Sequence, residues 1–240
     1  MEKTEELWRG GYRYVWDDGL FRPGTDSFLL GAFPRLPHGC RTADLGAGTG
    51  LLGLLLLARE PSVWVTGIEL LPQACALAEK NAAINGLSAH MACRCGDLRA
   101  MPEANCFDLV ISNPPYFKTG SGCRAEETAR RTARSEEACT LQELCAAAAR
   151  LLTYGGRFAV VYRPERLPEL FAAMAGVRLE PKRLRFVQPR PESAPSLLLA
   201  EARLGGRPGL QVEAPLLLCR ADGSPGPEMD AIYFRDRQEE

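Results

Sequence analysis

The run Asp44-Leu45-Gly46-Ala47-Gly48-Thr49-Gly50 constrains this chain more than any other segment, because it follows a strand-like stretch (Thr42 to Leu45) and opens an apolar helix-like one (Leu51 to Arg59). Alternate glycines at a strand-to-helix turn let the backbone approach a ligand closely, since glycine lacks Cβ and tolerates positive φ. The next β-branched run, Val63 to Glu69, ends on a carboxylate 19 positions after Gly50. An acidic residue at that strand end is placed to accept hydrogen bonds from ribose hydroxyls. A dinucleotide fingerprint would need its third glycine where Leu51 stands, so that cofactor class is disfavoured.

From Thr42 onward the chain alternates between strand and helix. Pro72 to Asn85 reads as a helix with proline in its first turn and Gly86 as its stop. A short strand at Met91–Cys95 follows, then Phe107–Ser112, whose continuous apolar character marks a buried strand. A helix over Thr140–Leu152, a strand over Arg157–Tyr162 and a helix over Glu165–Ala175 complete the series. This order predicts an α/β fold with a mostly parallel central sheet, right-handed crossovers and helices on both faces. Beyond residue 180 the texture changes. Leu184–Gln188, Leu197–Leu204, Leu210–Leu218 and Ile232–Phe234 read as strands, which suggests an antiparallel C-terminal hairpin closing one sheet edge. The expectation is one domain over 1–240, with an extension at 1–40, a cofactor-binding core at 41–180 and a β-rich part at 181–240.

Composition narrows the function. The net charge is −1 and the isoelectric point about 6.2, so any polynucleotide contact must come from local patches rather than a basic domain. The nine cysteines include no Cys-x-x-Cys pair, and only His38 and His90 could join them, which disfavours a metal site and suits reduced thiols. The two histidines read as structural. The charged start Met1–Glu6 lacks a signal-peptide core, and the apolar stretch Leu51–Ala58 is too short to cross a bilayer. A cytoplasmic protein with no membrane partner is expected.

Asn113-Pro114-Pro115-Tyr116 follows the buried strand at the carboxyl edge of the sheet, where ligands bind in open α/β folds. The residue types suit transfer to an aromatic exocyclic amine, whose lone pair is delocalised into the ring. Two acceptors binding its two N–H groups favour a pyramidal, nucleophilic nitrogen. The Asn113 side-chain oxygen supplies one acceptor and the Pro114 carbonyl the other, while Pro114 and Pro115 fix φ and limit reorganisation. Tyr116 offers a flat face on which a flipped base can stack.

An aspartate leading into Gly-x-Gly-x-Gly resembles motif I of the class I S-adenosylmethionine-dependent methyltransferases, which have a Rossmann-like fold. The resemblance implies S-adenosyl-L-methionine as the only cofactor and no metal. It implies a binding set of Asp44, Leu45, Gly46, Gly48 and Gly50, with Asp44 near the methionine part. It also implies Glu69 on the ribose hydroxyls, Asp97 on the adenine amino group, and Leu70 and Leu98 beside these carboxylates. The Asn113–Tyr116 tetrapeptide resembles motif IV of amino-methyltransferases, which places Asn113 at both cofactor and substrate.

The same tetrapeptide serves enzymes that methylate a glutamine amide of release factors and others that methylate guanine N2. The glutamine enzymes carry a sizeable helical domain ahead of motif I, whereas about forty residues precede Asp44 here. Those residues read as a strand, Tyr12 to Trp16, and a turn into a helix over Phe21–Leu30. In related enzymes that helix start packs against the methionine end of the cofactor, so Thr25 and Asp26 are either cofactor contacts or ordinary helix caps. Taken whole, the chain resembles the bacterial family that methylates N6 of adenine-37 in valine tRNA. The likeness includes Asp26-x-x-Leu29-Leu30, Asn113 to Phe117, Arg131-x-x-Ala133-Arg134-x-Glu136, Gly155-Gly156-Arg157 and Gly209 to Tyr233. It implies an RNA (tRNA) substrate met by Tyr116, Phe117, Lys118, Arg131 and Arg134. The mixed-charge stretch Lys118–Glu137 and the cluster Lys182, Arg183, Arg185 and Arg190 are candidate phosphate contacts or ordinary surface. A protein glutamine N5-methyltransferase, or an S-adenosylmethionine-binding protein without catalysis, are the alternatives.

Overall fold

The structure is a computed structural model that describes residues 1–20, 23–114 and 139–239. Two strands, β1 (Glu2–Glu6) and β2 (Arg13–Asp17), form an antiparallel hairpin ahead of helix α1 (Thr25–Ala32). The core follows as β3 (Arg41–Leu45), α2 (Leu51–Arg59), β4 (Trp64–Glu69), α3 (Pro72–Ile84), β5 (Met91–Cys95) and β6 (Phe107–Ser112). After the undescribed segment come α4 (Leu141–Leu151), β7 (Leu152–Tyr162), α5 (Leu167–Gly176), β8 (Leu179–Gln188) and β9 (Leu197–Leu204). The chain closes with β10 (Gln211–Val212), β11 (Leu216–Leu217) and α6 (Met229–Ile232).

Among the described residues nine strands build the main sheet in the order β10-β8-β9-β7-β6-β3-β4-β5, with β11 also on β8. Every pairing is parallel except the two made by β9, which lies antiparallel between β7 and β8. The expected hairpin is therefore β8–β9, but its second strand is inserted next to β7 instead of capping the edge. The central strands are buried on both sides: Leu109, Val110 and Ile111 of β6 and Phe158, Ala159, Val160 and Val161 of β7 are all at 0% exposure. The order reverses direction between β3 and β6, and that switch opens a crevice at the carboxyl edge.

One strand carries no sequence signal and two sequence expectations need correction. The run Glu2–Glu6 is a strand although all five residues are exposed; it is held by its backbone pairing to β2, which carries no hydrophobic signature. Leu210–Leu218 is not one strand but two short ones separated by Pro215, which has no N–H to give a ladder. Ile232–Phe234 is not a strand at all. It ends the short helix α6, with Tyr233 stacked on Phe28 of α1 at 4.5 Å between ring centroids and Ile232 and Phe234 buried. Tertiary packing overrides the β-propensity of Ile-Tyr-Phe there.

Asn81 on α3 and Asn85 at its C-cap, four positions apart, dock the N-terminal hairpin. Asn81 Oδ1 accepts from Val15 N (2.7 Å) and its Nδ2 donates to Val15 O and Thr49 O (both 2.8 Å). Asn85 repeats the pattern on Arg13, accepting at 2.8 Å and donating at 2.7 Å. The amides thus behave as a surrogate strand against β2. Asn81 is fully buried, so truncation strands Val15 N–H, Val15 C=O and Thr49 C=O without partners. Asn81→Ala is expected to lower unfolding free energy by about 2–4 kcal/mol in a denaturant titration, several times the effect of an exposed Asn→Ala change.

Candidate active site

The glycine turn sits over the end of β4. Gly46 N and Ala47 N both donate to Ile68 O, at 2.9 and 3.2 Å. Gly48 and Gly50 have φ of +55° and +83°, a region closed to most side chains. At Gly50 a Cβ would also lie 3.0 Å from Ala78 Cβ, so α3 packs against the turn only because that position is bare. Tyr14 of β2 hydrogen-bonds the Thr49 hydroxyl inside the turn, and burial pushes its phenol up to about 12. The turn is therefore braced from outside by the N-terminal hairpin, a link with no signal in the motif itself.

Asp44 and Glu69 end neighbouring strands and meet in this region. Glu69 is 5% exposed; its Oε2 accepts from Gly48 N (2.8 Å) and its Oε1 from Leu71 N (2.9 Å). A carboxylate can accept about four hydrogen bonds, so these two leave capacity for a diol. Asp44 is 1% exposed, and neither of its oxygens has a hydrogen-bond partner among the described residues. Burial pushes its carboxyl up to about 8, and the negative charge of Glu69 adds to the effect. A buried acceptor of this kind fits a cationic or N–H-bearing ligand group.

Farther along the edge, Asp97 follows β5. Its carboxylate accepts from Arg99 N and Nε and pairs with Arg99 Nη2 at 2.6 Å, and this contact lowers its pKa. Arg99 reaches on to Glu143 at 3.2 Å, the residue that closes the capping box with Thr140 at the start of α4. Leu70 is 53% exposed at the mouth of the crevice, and Leu98 is half-buried. The loop after β5 is held from below by Arg150, which donates to Leu98 O at 2.9 Å and Glu103 O at 2.8 Å.

Asn113 and Pro114 leave β6 beside the switch point. Ser112 Oγ donates to Leu45 O at 2.7 Å, tying the end of β6 to the end of β3 directly ahead of the two motifs. The Asn113 amide Nδ2 donates to Ser27 Oγ of α1 at 3.1 Å. Neither Thr25 nor Asp26 caps α1, whose N-cap is Gly24; the Thr25 hydroxyl accepts instead from the Tyr233 phenol at 3.2 Å. Asp44, Leu45, Gly46, Gly48, Gly50, Glu69, Leu70, Asp97, Leu98, Asn113 and Pro114 thus line one edge of the sheet, with the start of α1 over Asn113. Pro115, Tyr116, Phe117, Lys118, Arg131 and Arg134, and with them the whole stretch Lys118–Glu137, lie outside the described residues.

Three members of the second basic cluster have internal partners. Lys182 Nζ donates to Arg207 O (3.0 Å), Arg183 pairs with Glu213 at 2.6 Å and lies over the Phe33 ring, and Arg185 pairs with Glu228 at 2.5 Å. They knit the C-terminal segment to the sheet, whereas Arg190 is exposed in the turn beyond β8. Ser27, Ser112, Asn81 and Arg150 are the site-supporting residues that sequence reading passes over. No three His, Cys, Asp or Glu side chains gather as a metal set among the described residues, and no described helix is long and apolar enough to cross a membrane.

Comparison with known proteins agrees with this geometry. The family model of the methyltransferase small domain matches residues 22–175. The tRNA1(Val) (adenine(37)-N6)-methyltransferase of Porphyromonas gingivalis is 38% identical over 193 residues, covering 76% of this chain and 74% of that protein. Its namesake in Yersinia pestis is 34% identical over 184 residues, covering 73% of each. Among solved structures, a predicted O-methyltransferase from Agrobacterium tumefaciens superposes with a TM-score of 0.73 at 23% identity, over 88% of this chain and 96% of that one. A geranyl diphosphate methyltransferase in complex with S-adenosylmethionine gives 0.56 at 18% identity, over 75% and 84%. These likenesses establish the Rossmann-like class I methyltransferase fold, and the sequence relatives go further: the chain belongs to the methyltransferase small domain family and, within it, to the family of the tRNA1(Val) (adenine(37)-N6)-methyltransferases.

Proposed function

We propose that this chain transfers a methyl group to the exocyclic N6 of an adenine in RNA, at position 37 of tRNA1(Val). The observation that carries the reading is Asn113 at the end of β6, fixed next to the crevice that holds Asp44 and Glu69. The sequence relatives share this reaction in their names. S-adenosylmethionine supplies an electrophilic sulfonium methyl when bound. Glu69 has acceptor capacity for ribose hydroxyls, and Asp44 offers a buried acceptor for the positive end of the cofactor. Asp97 keeps acceptor positions for an amino group beside its pairing with Arg99.

Asn113 Oδ1 and the Pro114 carbonyl would take the two N–H groups of the adenine amine, turning its lone pair out of the ring plane. The stiff Pro114-Pro115 pair keeps these acceptors in place, so little reorganisation accompanies transfer. The methylated amine is acidic enough to lose its proton to solvent, and no general base is needed. Tyr116 and Phe117 are the proposed stacking partners of the flipped base, with Lys118, Arg131 and Arg134 toward the phosphates. The β2–Asn81 and α6–α1 contacts support reading 1–240 as a single domain, and a tRNA substrate is consistent with a cytoplasmic protein.

Methyl transfer into unmodified bulk tRNA, followed by nucleoside analysis, tests the reading. Label should appear as N6-methyladenosine. Label confined to a release-factor peptide would replace the proposal with glutamine methylation.

A further inference from the structure

We propose that Ser27 is a positioning residue for transfer: its hydroxyl holds the Asn113 amide plane so that Oδ1 faces the reaction crevice. The proposal rests on the amine-acceptor role given to Asn113 above. The contact joins residues 86 positions apart, from the first turn of α1 to the end of β6, with Asn113 Nδ2 donating to Ser27 Oγ at 3.1 Å. An asparagine amide is planar, with oxygen and nitrogen on opposite branches, so with Nδ2 bonded to the helix Oδ1 lies on the other side. Without that tie the amide can rotate and present its NH2 group, a donor facing the two donors of the amine. Rotation would therefore remove an acceptor and add a repulsion.

Ser27 is itself held firmly. Its N–H donates to Gly24 O at 3.1 Å, closing the first turn of α1. On one side of that turn Thr25 is bonded to the Tyr233 phenol, and Phe28 stacks on the Tyr233 ring at 4.5 Å. Farther along the helix, Gly31 allows α1 to approach α2 so closely that a Cβ there would lie 3.0 Å from Leu55 Cβ. The C-terminal segment thus clamps α1, and α1 presents the serine. Thr25 and Asp26, the residues next to Ser27, are the ones that the motif resemblance singles out; the structure assigns the contact with the transfer motif to their neighbour.

The test is a double-mutant cycle on steady-state methylation of unmodified tRNA. Ser27→Ala should lower kcat about tenfold, the fall expected when one hydrogen bond of ordinary strength is lost from the transition state. KM for S-adenosylmethionine and for tRNA, and the melting temperature, should stay near those of the unchanged protein. Adding Ser27→Ala to Asn113→Ala should cause no further loss, because the serine acts only through the asparagine. Undiminished kcat in Ser27→Ala, or losses that multiply in the double variant, would overturn the positioning role while leaving the amine clamp intact. Full activity in Asn113→Ala alone would overturn the clamp, and the role of Ser27 with it.

Discussion

Asn113→Ala is expected to lower kcat for methyl transfer by about a hundred- to a thousandfold, the range seen when one preorganised hydrogen-bonding group is removed from a developing-charge site. S-adenosylmethionine affinity should change little. Asn113 sits on the far side of the β3–β6 switch from Asp44 and Glu69, and its amide bonds Ser27 of α1. The substitution leaves the Ser112–Leu45 bond, which seams the two strands, untouched. A loss confined to kcat therefore separates an amine acceptor from a structural role at the strand end. Single-turnover transfer and equilibrium cofactor titration on the same variant make the distinction.

A second large effect is expected at Asp44. Its folded carboxyl titrates near 8 because it is buried, while in the unfolded chain it titrates at about 4. The folded form therefore holds a proton that the unfolded form gives up between these values. The sign follows: this group's contribution to stability is fully present below about pH 4 and is lost as pH rises toward 8. Asp44→Asn cannot ionise, so its melting temperature should fall less between pH 5 and 8 than that of the unchanged protein. Binding of a cationic cofactor favours the ionised form, so near pH 7 it should release a proton, and affinity should rise with pH up to about 8. Asp44→Asn should weaken binding by about ten- to a hundredfold at pH 8 and abolish both the proton release and the pH slope. Calorimetry in two buffers of different ionisation enthalpy measures the release directly. A wild-type release of zero near pH 7, or an unchanged slope in the variant, would contradict the assignment.

Much of the core was legible because local pattern and burial coincide. The bounds of α2, β5 and β6 emerge from the sequence unchanged, and α2 and β6 are predominantly apolar, buried runs. The strand-end positions of Asp44, Glu69 and Asn113 follow from the ends read for β3, β4 and β6. Long-range partners did not show. Asn81 meets Val15 across 66 positions and Ser27 meets Asn113 across 86, and nothing in either local sequence marks the other. The acidic partners of β8 were also invisible locally: Glu213 and Glu228 pair with Arg183 and Arg185 from 30 and 43 positions away. Tyr233 read as strand because its propensity is visible and its stacking on Phe28 is not.

The central claim is tested most directly with two transcripts of unmodified tRNA1(Val), one carrying adenosine at position 37 and one carrying guanosine there. The account predicts one methyl group per adenosine-bearing transcript, recovered as N6-methyladenosine, and none on its counterpart. Equal labelling of both transcripts would contradict the assigned position, and labelling of neither would contradict this RNA as the substrate.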